Sequence, residues 1–347
     1  MTSPSCPAPV SGYDRVVLGH GSGGRLSHEL FARVFAPLLG ADAAFGLEDQ
    51  AVLAAPREGR LAVTTDAFVV KPLVFPGGDI GSLAVHGTVN DLAVGGARPL
   101  CITASFILEE GLPMALLENV VQSMRRACDA IPVRLVAGDT KVVEHGKADG
   151  IFITTTGVGV VPDALALSAT RARPGDRVLV SGPLGDHGIA ILATRQGIDL
   201  RTALSSDSAP LHGLTGAMLA AGSGIRCMRD LTRGGLSSAL NEIAAASRVG
   251  VKLVEKGIPL RPEVRGACEL LGLDPLYVAC EGRLVAIVDG GGADTVLEAM
   301  RRHPLGEQAA IVGSVVADHP GLVSIRTVVG GERIVALLSG EQLPRIC

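Results

Sequence analysis

The sequence has 347 residues, and at roughly 150 residues per domain this length predicts about two domains. Hydrophobic residues make up 47% of the chain, so both domains can build a core and disorder is not expected. The formal net charge of −4 and the absence of Trp argue against nucleic acid or an anionic membrane surface as a partner, because these select basic patches and aromatic platforms.

Glycine and cysteine usage give two further expectations. The 45 glycines are about twice the usual share, which predicts backbone that comes close to other groups, phosphates among them. The seven cysteines are odd in number and form no CxxC pair, which predicts a reducing compartment rather than disulfides or a zinc ribbon. Residues 1–15 show no basic segment followed by an apolar run, so we expect a cytoplasmic protein.

Apolar patterns predict alternating strands and helices, which is typical of an α/β protein. A polar, basic stretch at 165–176 predicts the boundary between two α/β domains. The predicted elements are a strand at 61–66 ending on Asp66, helices at 82–94 and 113–130, a strand at 133–137 followed by Gly138, Asp139 and Thr140, a helix after Gly234 and Gly235, and strands at 284–288 and 311–316. We divide the chain into a glycine-rich loop and helix at 1–40, domains at 41–165 and 173–338, and a mobile tail at 339–347.

Residues 19–24, GHGSGG, fit the pattern G-x-G-x-x-G before a predicted helix from Arg25. Such a loop can belong to a dinucleotide-binding fold, but the acid expected about 20 residues later has only imperfect candidates in Asp42 and Glu48. A plain turn is the other alternative. If the loop binds a ligand, its N–H groups would surround an anion.

Five aspartates follow or interrupt apolar segments, where an unpaired carboxylate is costly to bury. They are Asp49, Asp66, Asp91, Asp139 and Asp230. We therefore expect a cation among them, and hard oxygen ligands without Cys or His at ligand spacing favour magnesium, the usual companion of nucleotide phosphates. Each aspartate taken alone could instead cap a helix or close a turn.

The predicted helix at 82–94 is apolar apart from a few polar side chains. His86 and Asn90 are four residues apart and therefore share one face, with Asp91 beside them. A single His on such a face is usually a hydrogen-bonded core residue, but its company here favours a functional site.

Cys347 is the last residue of the chain. It could be an incidental thiol, and it is not a prenylation signal, which needs Cys four residues from the end. Seven residues from Gly340 can extend about 23–25 Å, so this thiol could visit another protein and return to a pocket of its own chain, as a carrier arm does.

A set of motifs along the whole chain resembles the HypE family of hydrogenase maturation proteins. The motifs are HGSGG at 20–24, TTD at 64–66, FPGGDIG at 75–81, GTVNDLAV at 87–94, FILEEGLPM at 106–114, GDTKVV at 138–143, SGPLGDHG at 181–188, DLTRGGL at 230–236, CELLGLDPLYVACEG at 268–282, HPLG at 303–306 and PRIC at 344–347. The wider superfamily, with aminoimidazole ribonucleotide synthetase, selenophosphate synthetase and thiamine-monophosphate kinase, shares the ATP site but not the terminal PRIC.

The resemblance implies a two-domain α/β (α+β) synthetase-like fold. It implies that the N-terminal domain binds ATP and pairs with a second copy to form a β-barrel, so that the protein is a homodimer. It also implies that a C-terminal α/β domain and a flexible tail follow.

The resemblance also implies the activity, which is that of an ATP-dependent carbamoyl dehydratase. The partner HypF loads a carbamoyl group onto the Cys347 thiol, and this lyase converts the thiocarboxamide to a thiocyanate after O-phosphorylation by ATP. A HypC–HypD complex then receives the cyano group as a cyanide ligand of the nickel–iron hydrogenase site. Because an amide oxygen is a very poor leaving group, its conversion to a phosphate ester explains why the dehydration would use ATP.

Residue roles follow from the same resemblance. Glu281 is the expected base, Cys347 carries the reacting group, and Lys141 and His86 orient or polarise it. Magnesium is assigned to Asp49, Asp91 and Asp230. ATP is assigned to Gly21, Ser22, Gly23, Gly24, Asp66, Asn90, Asp91, Gly138, Asp139 and Thr140.

Two other functions stay open on the sequence. A phosphotransferase acting on a small molecule would use the aspartates but would leave the terminal Cys347 unexplained. A non-enzymatic scaffold would bind nucleotide and present the tail to partners.

Overall fold

Two sheets organise the chain in the computed structural model, which describes residues 12–39, 50–198, 204–222, 224–340, 343 and 345–347. In chain order the strands are β1 (Arg60–Phe68), β2 (Val74–Phe75), β3 (Gly78–Asp79), β4 (Arg98–Glu109), β5 (Arg134–Val143), β6 (Ile151–Val161), β7 (Arg177–Val180), β8 (Ile225–Asp230), β9 (Gly250–Val254), β10 (Leu284–Val288), β11 (Ala310–Val316), β12 (Val323–Arg326) and β13 (Glu332–Ile334). The helices are α1 (Arg25–Leu30), α2 (Ala36–Leu39), α3 (Ile80–Val94), α4 (Met114–Ala130), α5 (Asp186–Gln196), α6 (His212–Ala220), α7 (Gly235–Ser247), α8 (Pro262–Leu271) and α9 (Ala293–Arg301).

The first sheet has the strand order β1-β6-β4-β5. The pairs β1·β6 and β4·β6 are antiparallel, and β4·β5 is parallel because α4 connects those two strands. Helices α3 and α4 pack together, and α3 also contacts this sheet. The apolar side chains between these helices and the sheet form the N-terminal core.

Helix α3 is the element that joins the two halves of the molecule. It begins after Asp79, whose carboxylate accepts hydrogen bonds from the N–H groups of Gly81 and Ser82. It contacts β1 and α4 on the N-terminal side and α6 and β8 on the C-terminal side. Because it is covered from both sides, its polar residues lie between the domains.

The second sheet has the strand order β13-β12-β9-β11-β7-β10-β8 and carries α5 to α9. Most of its described strand pairs are antiparallel, while β9 and β12 run parallel. The predicted strands at 284–288 and 311–316 and the helix after Gly234 are confirmed as β10, β11 and α7. The fold is therefore a two-domain mixture of α and β elements, as expected.

The structure corrects three boundaries. The strand predicted to end on Asp66 continues to Phe68, because Ala67 and Phe68 still pair with β6. Gly138, Asp139 and Thr140 lie inside β5 rather than after it. Pro113 precedes α4, which begins at Met114.

The first sheet of the single chain is open. In the part of the chain that the structure describes, β1 and β5 are its two edge strands, and no closed barrel is formed. The prediction of a barrel therefore applies to a pair of chains, and that pairing stays a prediction. No helix among the described residues is both long enough and apolar enough to span a membrane.

The chain end, predicted to be a mobile tail, packs against the N-terminal core in this structure. Ile346 is 4% exposed and packs into the N-terminal core. The outward position of the tail stays a prediction.

Candidate active site

Three of the predicted acids come together where α3 meets both domains. Asp66 lies on β1, Asp91 in the last turn of α3 and Asp230 at the end of β8. The hydroxyl of Thr64 donates to Asp91 Oδ2 at 2.6 Å. Burial, and then the negative charge of Asp91, raise the pKa of Asp230 to about 7, and the same two causes raise the pKa of Asp66. Crowded carboxylates whose negative charge raises the pKa of neighbouring acids form a place where a cation is stabilised.

Magnesium fits this acid group through two of its predicted ligands. Among the described residues, no three Asp, Glu, His or Cys side chains converge enough to enclose a metal ion on their own. Asp49, the third predicted ligand, lies outside the described residues. Since Mg²⁺ usually takes one or two carboxylates and completes its shell with water and phosphate, Asp91 and Asp230 suit such a site.

Glu281 and the half-buried Cys347 lie near each other beside these acids, in a region that we call the thiol pocket. Glu281 precedes β10 and is 2% exposed, and its Oε1 has no hydrogen-bond partner in the part of the molecule that is described. Burial raises the pKa of Glu281 well above its ordinary value, and Asp230 acts in the same direction. Burial, and then the charge of Glu281, raise the pKa of the Cys347 thiol to about 12, against which Arg233 acts. The thiol therefore stays protonated at neutral pH in this position.

Two histidines, one on α3 and one on α5, lie within hydrogen-bond distance of the segment at 206–208. His86 Nδ1 lies 3.0 Å from the hydroxyl of Ser208, and burial lowers the pKa of His86 to about 4, so its ring is neutral. His187, also buried and with its pKa lowered to about 4 by burial, lies 2.7 Å from the carbonyl oxygen of Ile346 through Nε2 and 2.7 Å from the hydroxyl of Ser206 through Nδ1. Because a carbonyl only accepts, Nε2 of His187 carries the proton and Nδ1 accepts from Ser206.

Asn90 joins the domains through main-chain groups. Its side-chain amide donates to the carbonyl oxygens of Ala209 at 3.0 Å and Glu281 at 3.1 Å, and its Oδ1 accepts from the N–H of Leu211 at 2.7 Å. Both N–H groups of the amide are therefore in use. This arrangement gives Asn90 the role of fixing the segment that carries Glu281, whereas its predicted contact with ATP stays a prediction.

The chain end lies along the segment that follows β1. The N–H of Val69 donates to the main-chain oxygen of Cys347 at 3.1 Å, and the N–H of Lys71 donates to the carbonyl oxygen of Arg345 at 3.2 Å. Alternate residues thus pair as in an antiparallel ladder. This pairing and the burial of Ile346 fix where the thiol lies.

A second, open cavity of about 320 Å³ lies between the glycine-rich loop and β5. Its lining includes Gly21 and Gly23 of the loop and Gly138, Asp139, Thr140 and Lys141 of β5. A side chain at Gly21 would meet the main-chain nitrogen of Val142, so only glycine fits there. Ser22 and Gly24 belong to the same loop, and the Ser22 hydroxyl donates to the carbonyl of Gly19 at 2.9 Å.

Lys141 lies in this open cavity and not in the thiol pocket. Its ammonium group contacts the Asp139 carboxylate at 2.8 Å, and this contact holds the pKa of Asp139 below its usual value. Both side chains are 61% exposed. The charges here are already balanced and face solvent.

The register of the first sheet separates the two groups of predicted residues. Asp66 pairs with Thr155, Thr155 with Ala104, and Ala104 with Gly138. Asp66 and Gly138 thus lie in one row but at opposite edges, three strand spacings or about 14 Å apart. One chain brings Cys347, Glu281, His86, Asn90, Asp66, Asp91 and Asp230 together at one edge, and the glycine-rich loop, Asp139, Thr140 and Lys141 at the other.

Sequence reasoning missed the residues that hold the chain end. His187 was within a motif of the resemblance but had no role, although a His beside an Asp in a glycine-rich segment is a signal of a polar site. Its partner Ile346 is 159 residues away, so no local pattern predicts the contact.

Known proteins match the chain over nearly its full length. Family models of AIR synthase related proteins match residues 47–161, as the N-terminal domain, and 173–325, as the C-terminal domain. The carbamoyl dehydratase HypE of Azotobacter vinelandii is 57% identical over 332 residues, which is 96% of this chain and 97% of that protein.

Two solved structures extend the match to the fold. A crystal structure of the hydrogenase maturation protein HypE in complex with ATP superposes with a TM-score of 0.91 at 46% identity, covering 95% of this chain and 99% of the other. A HypE–HypF complex structure superposes with a TM-score of 0.78 at 44% identity, covering 91% and 100%.

Proposed function

Since the chain belongs to the AIR synthase related proteins and, within them, to the HypE family, we propose that it dehydrates a carbamoyl group on its own Cys347 with ATP. The product is a thiocyanate that supplies the cyanide ligand of a nickel–iron hydrogenase. The observation that carries this proposal is the position of the half-buried C-terminal thiol near Glu281, a carboxyl group whose Oε1 has no hydrogen-bond partner among the described residues.

The position of the thiol suits a loaded tail better than an empty one. With a pKa of about 12, the inward thiol is a poor nucleophile at neutral pH, because only the thiolate attacks efficiently. Loading by HypF, the partner of a relative that superposes on this chain, therefore takes place with the tail outside, and dehydration with the tail inside. Delivery of the cyano group to HypC–HypD again requires the outward position.

The chemistry has two steps. The carbamoyl oxygen first takes the terminal phosphoryl group of ATP, so that a new O–P bond forms, the old P–O bond breaks and ADP leaves. The C–O bond then breaks with phosphate leaving, and the C≡N bond is complete when the nitrogen has lost both of its protons. Glu281 suits the proton acceptor because its Oε1 has no hydrogen-bond partner among the described residues. Its raised pKa makes the carboxylate a stronger base than an ordinary one, and a magnesium ion bound among the neighbouring acids would favour the ionised form that accepts a proton. His86, held neutral by burial, suits an orienting hydrogen bond to the carbamoyl group.

Charge on the phosphoryl group needs compensation. A magnesium ion on Asp91 and Asp230, with Asp49, would supply it when bound. The glycine-rich loop, with Gly138, Asp139 and Thr140, would hold the nucleotide, and Lys141 beside them would neutralise a phosphate oxygen.

A homodimer would complete this site. The two groups of residues lie at opposite edges of an open sheet, too far apart to hold one triphosphate within one chain. Leu61 and Val63 on the edge strand β1 are exposed, which favours pairing of that edge with a second copy. The six described cysteines are free thiols, which fits the cytoplasm.

Mass spectrometry of the C-terminal peptide tests the proposal. After carbamoylation by HypF, addition of Mg-ATP is expected to remove one water from the group on Cys347, and the Asp91→Ala variant is expected to retain it. A demonstrably carbamoylated tail that stays unchanged with Mg-ATP would contradict the proposal and favour a small-molecule phosphotransferase.

A further inference from the structure

Charged side chains also bind the inward tail, in addition to its main-chain hydrogen bonds with Val69 and Lys71. Arg195, in the last turn of α5, donates from Nε to the carbonyl of Lys71 at 2.8 Å and from Nη2 to the carbonyl of Arg345 at 2.6 Å. One guanidinium group thus bridges the two paired segments. Its planar donors keep a fixed geometry, so both carbonyls are positioned together.

Asp149 binds both the tail and the segment that pairs with it. Its carboxylate pairs with the guanidinium group of Arg345 and with the ammonium group of Lys71, the latter at 3.0 Å. The side chain of Asp149 is only 19% exposed, so these ion pairs are partly shielded from water. Arg345 is therefore bound to a carboxylate of its own chain.

His187 binds Ile346, the residue between Arg345 and Cys347. Its Nε2 donates to the carbonyl of Ile346, and the Ile346 side chain is inserted into the N-terminal core. Each of the last three residues therefore has a main-chain oxygen bound by a group of the protein: Arg345 by Lys71 and Arg195, Ile346 by His187, and Cys347 by Val69.

We propose that Arg195, Asp149 and His187 form a clasp that docks the last three residues through their main chain and through Arg345, and so positions whatever group the sulfur carries against Glu281. This inference rests on the proposed function for its purpose, but not for its geometry. The hydrogen bonds and ion pairs of the clasp go to oxygens of the main chain and to the guanidinium group, and the sulfur is left to carry a thiol, a carbamoyl or a cyano group.

The closing experiment measures alkylation of Cys347 by iodoacetamide in the full chain, followed on the C-terminal peptide by mass spectrometry so that other cysteines do not interfere. Arg195→Met keeps the aliphatic stem but loses both hydrogen bonds. Loss of a charge-assisted contact of this kind is expected to speed alkylation by about 10- to 100-fold, because the tail leaves its pocket more often.

Arg125→Met is the matched control. Arg125 also lies on a helix and pairs with a carboxylate, Asp129 at 2.7 Å, but it contacts no residue of the described chain end. Alkylation in this variant should equal that of the wild type, and Arg195→Lys should restore part of the protection. Equal rates in the wild type and Arg195→Met would overturn the clasp, as would a wild-type Cys347 that reacts as fast as a free peptide.

A second readout separates the clasp from the proposed function. For a HypF-loaded tail, Arg195→Met is expected to lower the single-turnover rate of dehydration without changing the ATP concentration that gives half the maximal rate. Protection of Cys347 that depends on Arg195, in a protein that does not dehydrate, would support the clasp and refute the function. Dehydration that proceeds at the wild-type rate while the tail is unprotected would refute the positioning role.

Discussion

The thiol pocket and the open cavity beside the glycine-rich loop differ in how their charges are balanced. In the thiol pocket, Asp66 and Asp230 are half-buried, Glu281 is buried, and the pKa of each is raised. In the cavity beside the glycine-rich loop, Asp139 faces solvent, and its pKa is lowered by its contact with Lys141.

This difference indicates which of the two regions needs a bound cation or proton to neutralise its charge. Buried carboxyl groups without a counter-ion cost stability until a cation or a proton neutralises them, and such groups cluster at functional sites. Balanced, exposed charges cost little and can be rearranged when an anion arrives. The thiol pocket thus has the properties of a site for chemistry, and the open cavity has those of a binding surface.

Replacing the base should have the largest effect and should act on activity and stability in opposite directions. Glu281→Gln removes the proton acceptor, so we expect dehydration to slow by about 10²- to 10⁴-fold, measured by loss of water from the loaded tail. The variant should also be more stable than the wild type at pH 8, with a Tm higher by about 2 °C or more.

The sign of the stability change follows from the raised pKa of Glu281. In the folded state this carboxyl holds its proton above the ordinary value of 4.5, so folding is favoured less and less as the pH rises from there. The advantage of Glu281→Gln should therefore vanish as the pH falls toward that value. Glu109→Gln is the control of opposite sign, because hydrogen bonds from Gly146 and Gly150 lower the pKa of Glu109. A Glu281→Gln variant less stable than the wild type at pH 8 would show that the carboxyl is ionised and paired.

Much of this comparison could be predicted from the sequence. The helix at 82–94 and the strand that carries Asp66 follow from apolar patterns, and acids at such positions indicate a cation because burying them is costly. The strand that carries Asp230 was not predicted. The division of these residues between two edges could not be predicted. It depends on the pairing β1-β6-β4-β5, in which β5 reaches the far edge because it pairs in parallel with β4.

Local sequence patterns could not predict the clasp on the tail either. The contacts of Arg195 and His187 join residues 124 to 159 positions apart in the chain, and they bind main-chain oxygens, which every sequence has. A side chain that binds backbone leaves no complementary residue to search for. Glu281 was likewise assigned by resemblance alone, since nothing in its local sequence sets it apart from other acids.

Mixing two inactive variants would test whether the two cavities serve one nucleotide. Asp66→Asn and Asp139→Asn should each abolish dehydration, because each damages one group of proposed ATP contacts. If two chains share each site, coexpression should restore about a quarter of wild-type activity, because half of the dimers are mixed and one of their two sites is intact.

The control for this experiment damages the same edge twice. A mixture of Asp66→Asn and Asp91→Asn leaves no intact site in any pairing, so activity should stay absent. Recovery in this control, or none in the first mixture, would contradict the shared site.

The smallest expected effect concerns one hydrogen bond in each cavity. Thr64→Val removes the donor to Asp91, and a charged acceptor left unpaired beside the pocket should cost about 2 kcal/mol in the free energy of unfolding. Lys141→Met removes an exposed ion pair with Asp139 and should change it by only about 0.5 kcal/mol or less. Thr65→Val, one residue along β1 but exposed, controls for the loss of a hydroxyl. Chemical denaturation measures all three, and equal losses for Thr64→Val and Lys141→Met would mean that the two cavities screen charge alike.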